Sequence, residues 1–343
     1  MGQLSLLDHS DYLETLAKHK DPLEKLDKTI DWTVFLPILN RRLRVKDRKS
    51  PAGRPPFDSL MMLKLIVLQS LYGLSDAQTE FQILDRYTFK RFLGIHSESG
   101  IPDEKTIWLF KERLGNEGIK RLFRKFNSEM GKNGFSAKKG SIVDASFVDA
   151  PKQRNSHDEN ESIKNGNPPS DWDEPKRRQK DTDARWAKKN NETHYGYKNH
   201  VCVDVRRRII RHYSVTPANV HDSQAFGDMV GAFKENSNKS VFADSAYRSC
   251  ENEALLSDEN LRSQIHEKGS RTGKLTEKQI KRNSKKSSTR VIVEHVFGRM
   301  KQLKSDTVRC IGIARATFQI GLANLVYNMD RVASLGGLRP RAG

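Results

Sequence analysis

Three acids stand out by what surrounds them. Asp144 lies in the run IVDASFV, among the apolar Ile142, Val143, Ala145, Phe147 and Val148. A carboxylate buried in a strand is costly without a partner or a metal, whereas one on the solvent face of an edge strand is not. Asp244 ends a second apolar run, residues 241–243, and is followed by Ser245, Ala246 and Tyr247. Carboxylates at the C-terminal ends of strands point into the crevice where open α/β sheets bind ligands, and an Asp there equally suits the N-cap of a following helix. The third acid sits in a helical pattern over 288–304. Arg290, Glu294 and Lys301, at offsets of 0, 4 and 11, fall within about 40° of one another around the axis. Ile292, Val293, Val296, Met300 and Leu303 fall on the other side. One face is core. The other presents an acid between two bases, an arrangement that i,i+4 ion pairing on a solvated face also produces.

The three acids fit one chemistry. Phosphodiester cleavage at neutral pH needs an activated nucleophile and a stabilised leaving oxygen, and two divalent ions about 3.5–4 Å apart supply both. Hard ions prefer carboxylate oxygens, so Mg²⁺ is implied, with Mn²⁺ as a substitute. Arg290 and Lys301 would hold phosphates beside them.

The overall charge agrees. Sixty-one Lys and Arg against 43 Asp and Glu give a net charge of +18 and a pI near 9.7. Such a balance favours a polyanion, nucleic acid first and an anionic membrane surface second. The chain lacks a basic amphipathic helix with aromatic anchors, which counts against the membrane. It shows no signal peptide and no apolar run of the roughly 18 residues that a span needs. Cys202, Cys250 and Cys310 form neither a metal-ligand nor a disulfide pattern. A cytoplasmic, DNA-associated protein is expected. Residues 262–304 hold 13 Lys and Arg, Lys285 and Lys286 among them, against 3 acids, and lead into the Glu294 pattern. A second basic stretch, 41–56, includes Arg54 and only one acid, Asp47; it reads as a linker or as a phosphate contact.

These residues must be positioned by two kinds of structure. The first third of the chain is helical in pattern. Leucines are spaced over 11–28, and an apolar helix begins near Asp58 and is broken by Gly73. Ser75 and Gln78 form a capping box that opens the next helix, Asp103 caps another, and a further helix runs over 116–130. Helix, glycine turn, helix is compatible with a helix-turn-helix or with a plain hairpin. Strand texture starts at 141–148. Residues 149–193 form a polar tract nearly free of aliphatics, read as a long surface loop. A hairpin over 199–205 and 209–215, a helix at 223–235, a strand at 240–243, a helix, a strand at 263–266, a basic loop and helices at 288–304 and 316–332 follow. That order is the one of a ribonuclease H-like α/β fold. The expected domains are an all-α N-terminal DNA-binding or dimerisation domain at 1–135, a catalytic domain at 136–333 carrying the 149–193 insertion, and a tail at 334–343.

The segments VDASFVDAP, HYGYKNHV, TPANVHDS, FADSAY and RVIVEHVFGRMK resemble the DDE transposases of bacterial and archaeal insertion sequences, in the IS five group of the IS four-like superfamily. The stretch GRPPFDSLMMLKLIVLQSLYGLSDAQTEFQILDRY resembles that group's N-terminal domain, and the likeness extends over about residues 20–333. The resemblance implies an acidic triad at Asp144, Asp244 and Glu294, and metal-dependent cleavage at transposon ends with strand transfer into target DNA. It further implies a homodimer holding double-stranded terminal inverted repeats. The family's signature around the glutamate is Tyr, two residues, Arg, three residues, Glu, six residues, Lys. Arg290, Glu294 and Lys301 match it, and Ser287 stands at the tyrosine. Only 49 residues separate Asp244 from Glu294, too few for the large β-rich insertion of some relatives.

Of the remaining residues, His221 and Asp222 are the outside choice for active-site neighbours, and His194 and His200 read as structural. Trp172 is a candidate for stacking on bases, while Trp108 reads as core. Two alternatives stay open: a DNA-binding protein without catalysis, and a metal-dependent nuclease that cleaves without joining.

Overall fold

The computed structural model describes residues 15, 18–19, 21–43, 55–95, 100–189, 191–234, 239–269 and 273–336. Arg54, the basic stretch 44–54 and residues 11–14, 16, 17 and 20 of the helix expected at 11–28 lie outside these. The chain divides into two units, Met1–Leu114 with Met329–Gly343, and Gly115–Asn328.

The first unit is helical, and local sequence explains where its helices begin and end. Helix α1 (Pro22–Thr29) starts at Asp21, whose carboxylate accepts the Leu23 N–H at 2.9 Å, with Pro22 in the first turn. A 3₁₀ turn leads into α2 (Leu36–Leu43). Asp58 caps α3 (Ser59–Tyr72), accepting the Met61 N–H at 2.7 Å, and Gly73 ends it in the left-handed conformation. Seven of its residues between Met62 and Gln69 are buried, so α3 is the centre of this core. The capping box at Ser75 and Gln78 opens α4 (Asp76–Asp85), which lies at 100° to α3. That angle suits a helix-turn-helix. However, α4 carries Asp76, Glu80 and Asp85 and no lysine or arginine, the wrong charge for lying along phosphates. Helix α5 (Tyr87–Leu93) stops at Gly94.

Helix α6 (Glu104–Lys132) opens at Asp103, which accepts the Thr106 N–H at 2.7 Å. It is interrupted at Gly115 (φ 57°, ψ −178°), a conformation open essentially only to glycine. Trp108 is not core: it is 47% exposed, because Ile107, Phe110 and Leu114 form the buried stripe and Trp108 sits about 100° off it. Among the described residues, no single helix is long and apolar enough to cross a membrane.

The second unit is built on a six-stranded mixed sheet: β1 (Ser141–Asp149), β2 (Arg185–Lys189), β3 (Glu192–Asp204), β4 (Ile210–Pro217), β5 (Ser240–Ala243) and β6 (Arg262–Ile265). The order is β2-β3-β1-β5-β6, with β4 also on β3. Strand β3 runs antiparallel to β1, β2 and β4, and β5 runs parallel to β1 and β6. Helices cover both faces. Asn199 of β3 exchanges amide hydrogen bonds with Asn324 of α12 (Ile313–Ser334) at 2.9 and 3.1 Å. On the other face, Val143 and Cys202 pack with Phe226, Met229 and Phe233. Phe226 joins two 3₁₀ turns (Asp222–Ala225, Gly227–Met229), Met229 ends the second, and Phe233 lies in the short α9 (Val230–Lys234), where one continuous helix over 223–235 was expected. Helices α10 (Cys250–Asp258) and α11 (Glu277–Gln302) complete the unit. Helix α11 begins eleven residues before the expected start. Its first half is polar apart from Ile280 and lacks periodicity, but Thr276 and Gln279 form a capping box, and the Glu, Gln, Lys and Arg residues there are good helix formers.

The tract 149–193 is not a bare loop. It holds α7 (His157–Lys164), α8 (Glu174–Gln179), β2 and the start of β3. Ser156 with Glu159, and Asp173, cap the helices. A polar anchor takes the place of the missing aliphatics. Asp181, 2% exposed, accepts the N–H groups of Asp183 (3.0 Å), Ala184 (2.9 Å) and Gly312 (3.1 Å) and the Tyr197 hydroxyl (2.8 Å). Trp172 is buried and donates its indole N–H to Glu159 at 2.8 Å, so it presents no face to a base.

Candidate active site

Asp144 belongs to β1, a central strand, and Asp244 immediately follows β5. The parallel register pairs Ile142 with Phe242, so two residues further on the two aspartates stand at the same level of neighbouring strands. Helix α11 is pegged across the strand ends from one side to the other. Arg282 bonds Glu267 through two nitrogens at 2.8 and 3.0 Å. Asn283 accepts the Glu267 N–H at 2.9 Å and donates to its carbonyl at 3.0 Å. Lys286 donates to the carbonyl of Ile265, the last residue of β6, at 2.9 Å. One turn on, Arg290 Nη2 donates to Asp144 Oδ2 at 3.3 Å.

Asp144 is buried. Desolvation pushes its carboxyl above the usual range, the Arg290 guanidinium pulls it back, and the Ala145 N–H, donating to Oδ1 at 2.9 Å, helps. The charge of Asp244 raises it again, and that of Lys189 lowers it. Asp244 is half-buried and serves as the N-cap of the turn Ser245–Tyr247, its Oδ1 accepting the Ala246 N–H at 2.8 Å. The capping role thus engages one oxygen and leaves Oδ2. Behind both acids lies Tyr247, fully buried, its hydroxyl without a hydrogen-bond partner. Burial and the charges of Asp144, Asp222 and Asp244 hold that phenol well above its ordinary value.

The other expected site residues divide. Glu294 lies one turn beyond Arg290 and is exposed, as are Lys285 and Lys301. Lys286 is half-buried, its ammonium held on Ile265 and its pKa lowered by burial. Asp222 pairs with Lys198 at 2.7 Å, both side chains nearly buried. His221 caps the turn that follows it, its Nδ1 2.7 Å from Ser223 Oγ. His200 is buried, 2.9 Å from Thr216 Oγ1, and burial lowers its pKa to about 4. Ser287 donates to the Asn283 carbonyl at 3.0 Å and lies 3.4 Å from His266 Nε2. Sequence reasoning passed over Lys198. The signal was a lone lysine inside the buried strand pattern of HYGYKNHV.

The structure therefore pairs Arg290 with Asp144 and sets Asp244 at the end of the neighbouring strand. Among the described residues, no three His, Cys, Asp or Glu side chains stand together as a metal-binding group. The donors at the centre are nevertheless hard oxygens: two neighbouring carboxylates, with Glu294 one helical turn from the arginine that touches the first. That chemistry fits a hard divalent cation.

Residues 136–329 match the model described as "Transposase DDE domain", and residues 11–113 match "Transposase domain (DUF772)". Among solved structures, a piggyBac transposase synaptic complex with hairpin DNA, determined by cryo-EM, aligns with a TM-score of 0.43 and 11% identity. The alignment covers 94% of this chain and 77% of that one. The first of the two family models spans more than half of the sequence and includes both aspartates and the whole Arg290–Glu294–Lys301 face, and the chain belongs to the DDE transposase family.

Proposed function

We propose that the protein cuts DNA at the ends of its element and transfers the freed strands into target DNA, using Asp144, Asp244 and Glu294. The observation that carries this reading is the meeting of Asp144 and Asp244 on adjacent parallel strands, with Arg290 brought to them by the helix that also bears Glu294. The strand order β4-β3-β1-β5-β6, antiparallel in its first half and parallel in its second, supports a ribonuclease H-like fold. The 49 residues between Asp244 and Glu294 are taken up by α10, β6 and the first part of α11. This supports assignment to the IS five group, whose short spacing leaves no room for an inserted domain.

Mg²⁺, or Mn²⁺ in its place, would be held by the three carboxylates, and supplies nucleophile activation and charge neutralisation at the phosphate when bound. The protein's own groups do the rest. The Arg290 guanidinium opposes the burial that raises the Asp144 carboxyl, and an arginine so placed suits a phosphate oxygen beside it. Lys285 and Lys301 are exposed cations on the same helix, suited to the DNA backbone. Lys286 and Arg54 are further backbone contacts in this reading. His221 and Asp222 border the site, with Asp222 acting through Lys198. The partners are double-stranded terminal inverted repeats and target DNA, held by a homodimer associated with DNA in the cell.

The test is strand joining. The wild type and Asp244→Asn are compared on a labelled duplex bearing the gene's own flanking ends, with Mg²⁺ or Mn²⁺ and a target plasmid. Metal-dependent joined product, lost in the variant, is expected. Nicks without joining would establish a nuclease, and binding without cleavage a non-catalytic DNA-binding protein.

A further inference from the structure

The outer hairpin of β2 and β3 is the feature that the active site leaves unexplained. Trp186 of β2 is 46% exposed, although a tryptophan of a structured strand is normally among the most buried groups. It stands on Tyr195 of β3, with centroids 4.9 Å apart and planes at 43°, and Lys152 Nζ lies 5.7 Å from its ring centre. Lys188, two residues along and on the same face of the strand, is exposed. An aromatic face ringed by cations is the arrangement that binds single-stranded nucleic acid: bases stack on the ring and lysines take the phosphates.

The outer end of β3 also leaves the straight line of its ladder with β1. Gly196 (φ 150°) faces Asp149 across the β1–β3 ladder, and a Cβ there would meet the Val148 carbonyl oxygen at 2.3 Å. At this close crossing the outer end of β3 turns back over β1. Continued straight, the register would put His194 opposite Pro151. Instead its ring stacks on Phe147, 4.1 Å away and 4° from parallel.

We infer that Trp186, with Lys152 and Lys188, is a binding site for an unpaired base of the DNA that the protein cuts. This rests on the reading of the protein as a DNA-cutting enzyme and adds a contact made only with a base out of its duplex. A duplex offers base edges in its grooves and no base face, so a stacking platform selects a frayed or displaced end.

The experiment uses the full chain carrying Asp244→Asn, so that no cleavage intervenes. The probe is a duplex of the element's end with a short single-stranded overhang containing 2-aminopurine, beside its blunt counterpart. Quenching of the 2-aminopurine is expected with Trp186 present, retained in Trp186→Phe and lost in Trp186→Ala. Affinity for the overhang should fall about tenfold in Trp186→Ala, which corresponds to about 1.4 kcal/mol, within the range of one base stack, while blunt-duplex affinity is unchanged. Equal quenching with Trp186→Ala would overturn the inference and leave the transposase reading standing. So would an equal loss on both probes, or a change in sedimentation in place of a change in DNA contact. Failure to bind either probe would end both.

Discussion

Replacing Arg290 by methionine should expose what offsets the burial of Asp144. The guanidinium lies 3.3 Å from Asp144 Oδ2, and the two side chains are 23% and 10% exposed. Removing one member of a buried ion pair costs about 3–5 kcal/mol. With Arg290 partly solvated and a single contact made, the lower end, about 3 kcal/mol, is expected. The loss should depend on pH. Burial and Asp244 already hold the Asp144 carboxyl above its ordinary value, and Arg290 is the strongest opposing influence. Without it, the folded protein holds the Asp144 proton still more tightly than the unfolded chain does. An acid of that kind lowers stability as pH rises through its ordinary range toward the raised value. The penalty of Arg290→Met is therefore largest at pH 8 and shrinks toward pH 4 as Asp144 takes up its proton. Urea denaturation of both proteins with chelator present, at pH 5 and pH 8, measures this. Arg290→Lys should retain much of the stability. An equal loss at both pH values would show that Arg290 contributes packing alone and refute the electrostatic account.

Asp181→Asn should destabilise by about 2–3 kcal/mol, read by urea denaturation, since an amide cannot accept on both sides from the donors now meeting that buried carboxylate. Gly196→Ala should cost at least about 2 kcal/mol in the same assay, because the new methyl would meet the backbone of Val148 and Ala150, which cannot move as a side chain could. Lys198→Met should lower DNA cleavage, and adding Asp222→Asn should restore part of it. A coupling of about 0.5–3 kcal/mol in that double-mutant cycle is expected for residues 2.7 Å apart.

Much of the second unit was legible because its elements obey local rules. β1 and β5 are apolar runs each marked by one acid, and α11 separates an apolar stripe ending in Met300 from a charged face. The caps at Asp58, Ser75 and Asp103 were readable for the same reason, as side chains bonding within three residues. What escaped depends on partners distant in sequence. The tract 149–193 lacks aliphatics, and its order comes from Asp181 meeting Tyr197 and Gly312. The early start of β3 is decided by pairing with β2, whose RWAKK has no alternation to announce it. Trp108 and Trp172 exchanged their expected places because burial of a tryptophan depends on which stripe it falls on and what closes over it. The three acids were visible as separate features, but not the way Arg290 comes to lie on Asp144 while Glu294 faces solvent.

The central claim is that Glu294, although exposed, completes one site with Asp144 and Asp244. Mn²⁺ binding, followed by electron paramagnetic resonance on the full chain with its end duplex bound, addresses it most directly. Asp144→Asn, Asp244→Asn and Glu294→Gln are each compared with the wild type at matched DNA occupancy. All three should weaken Mn²⁺ binding, and none should lose affinity for the DNA. Binding that Glu294→Gln leaves at the wild-type level, with cleavage also intact, would contradict the account and reduce the site to its two aspartates.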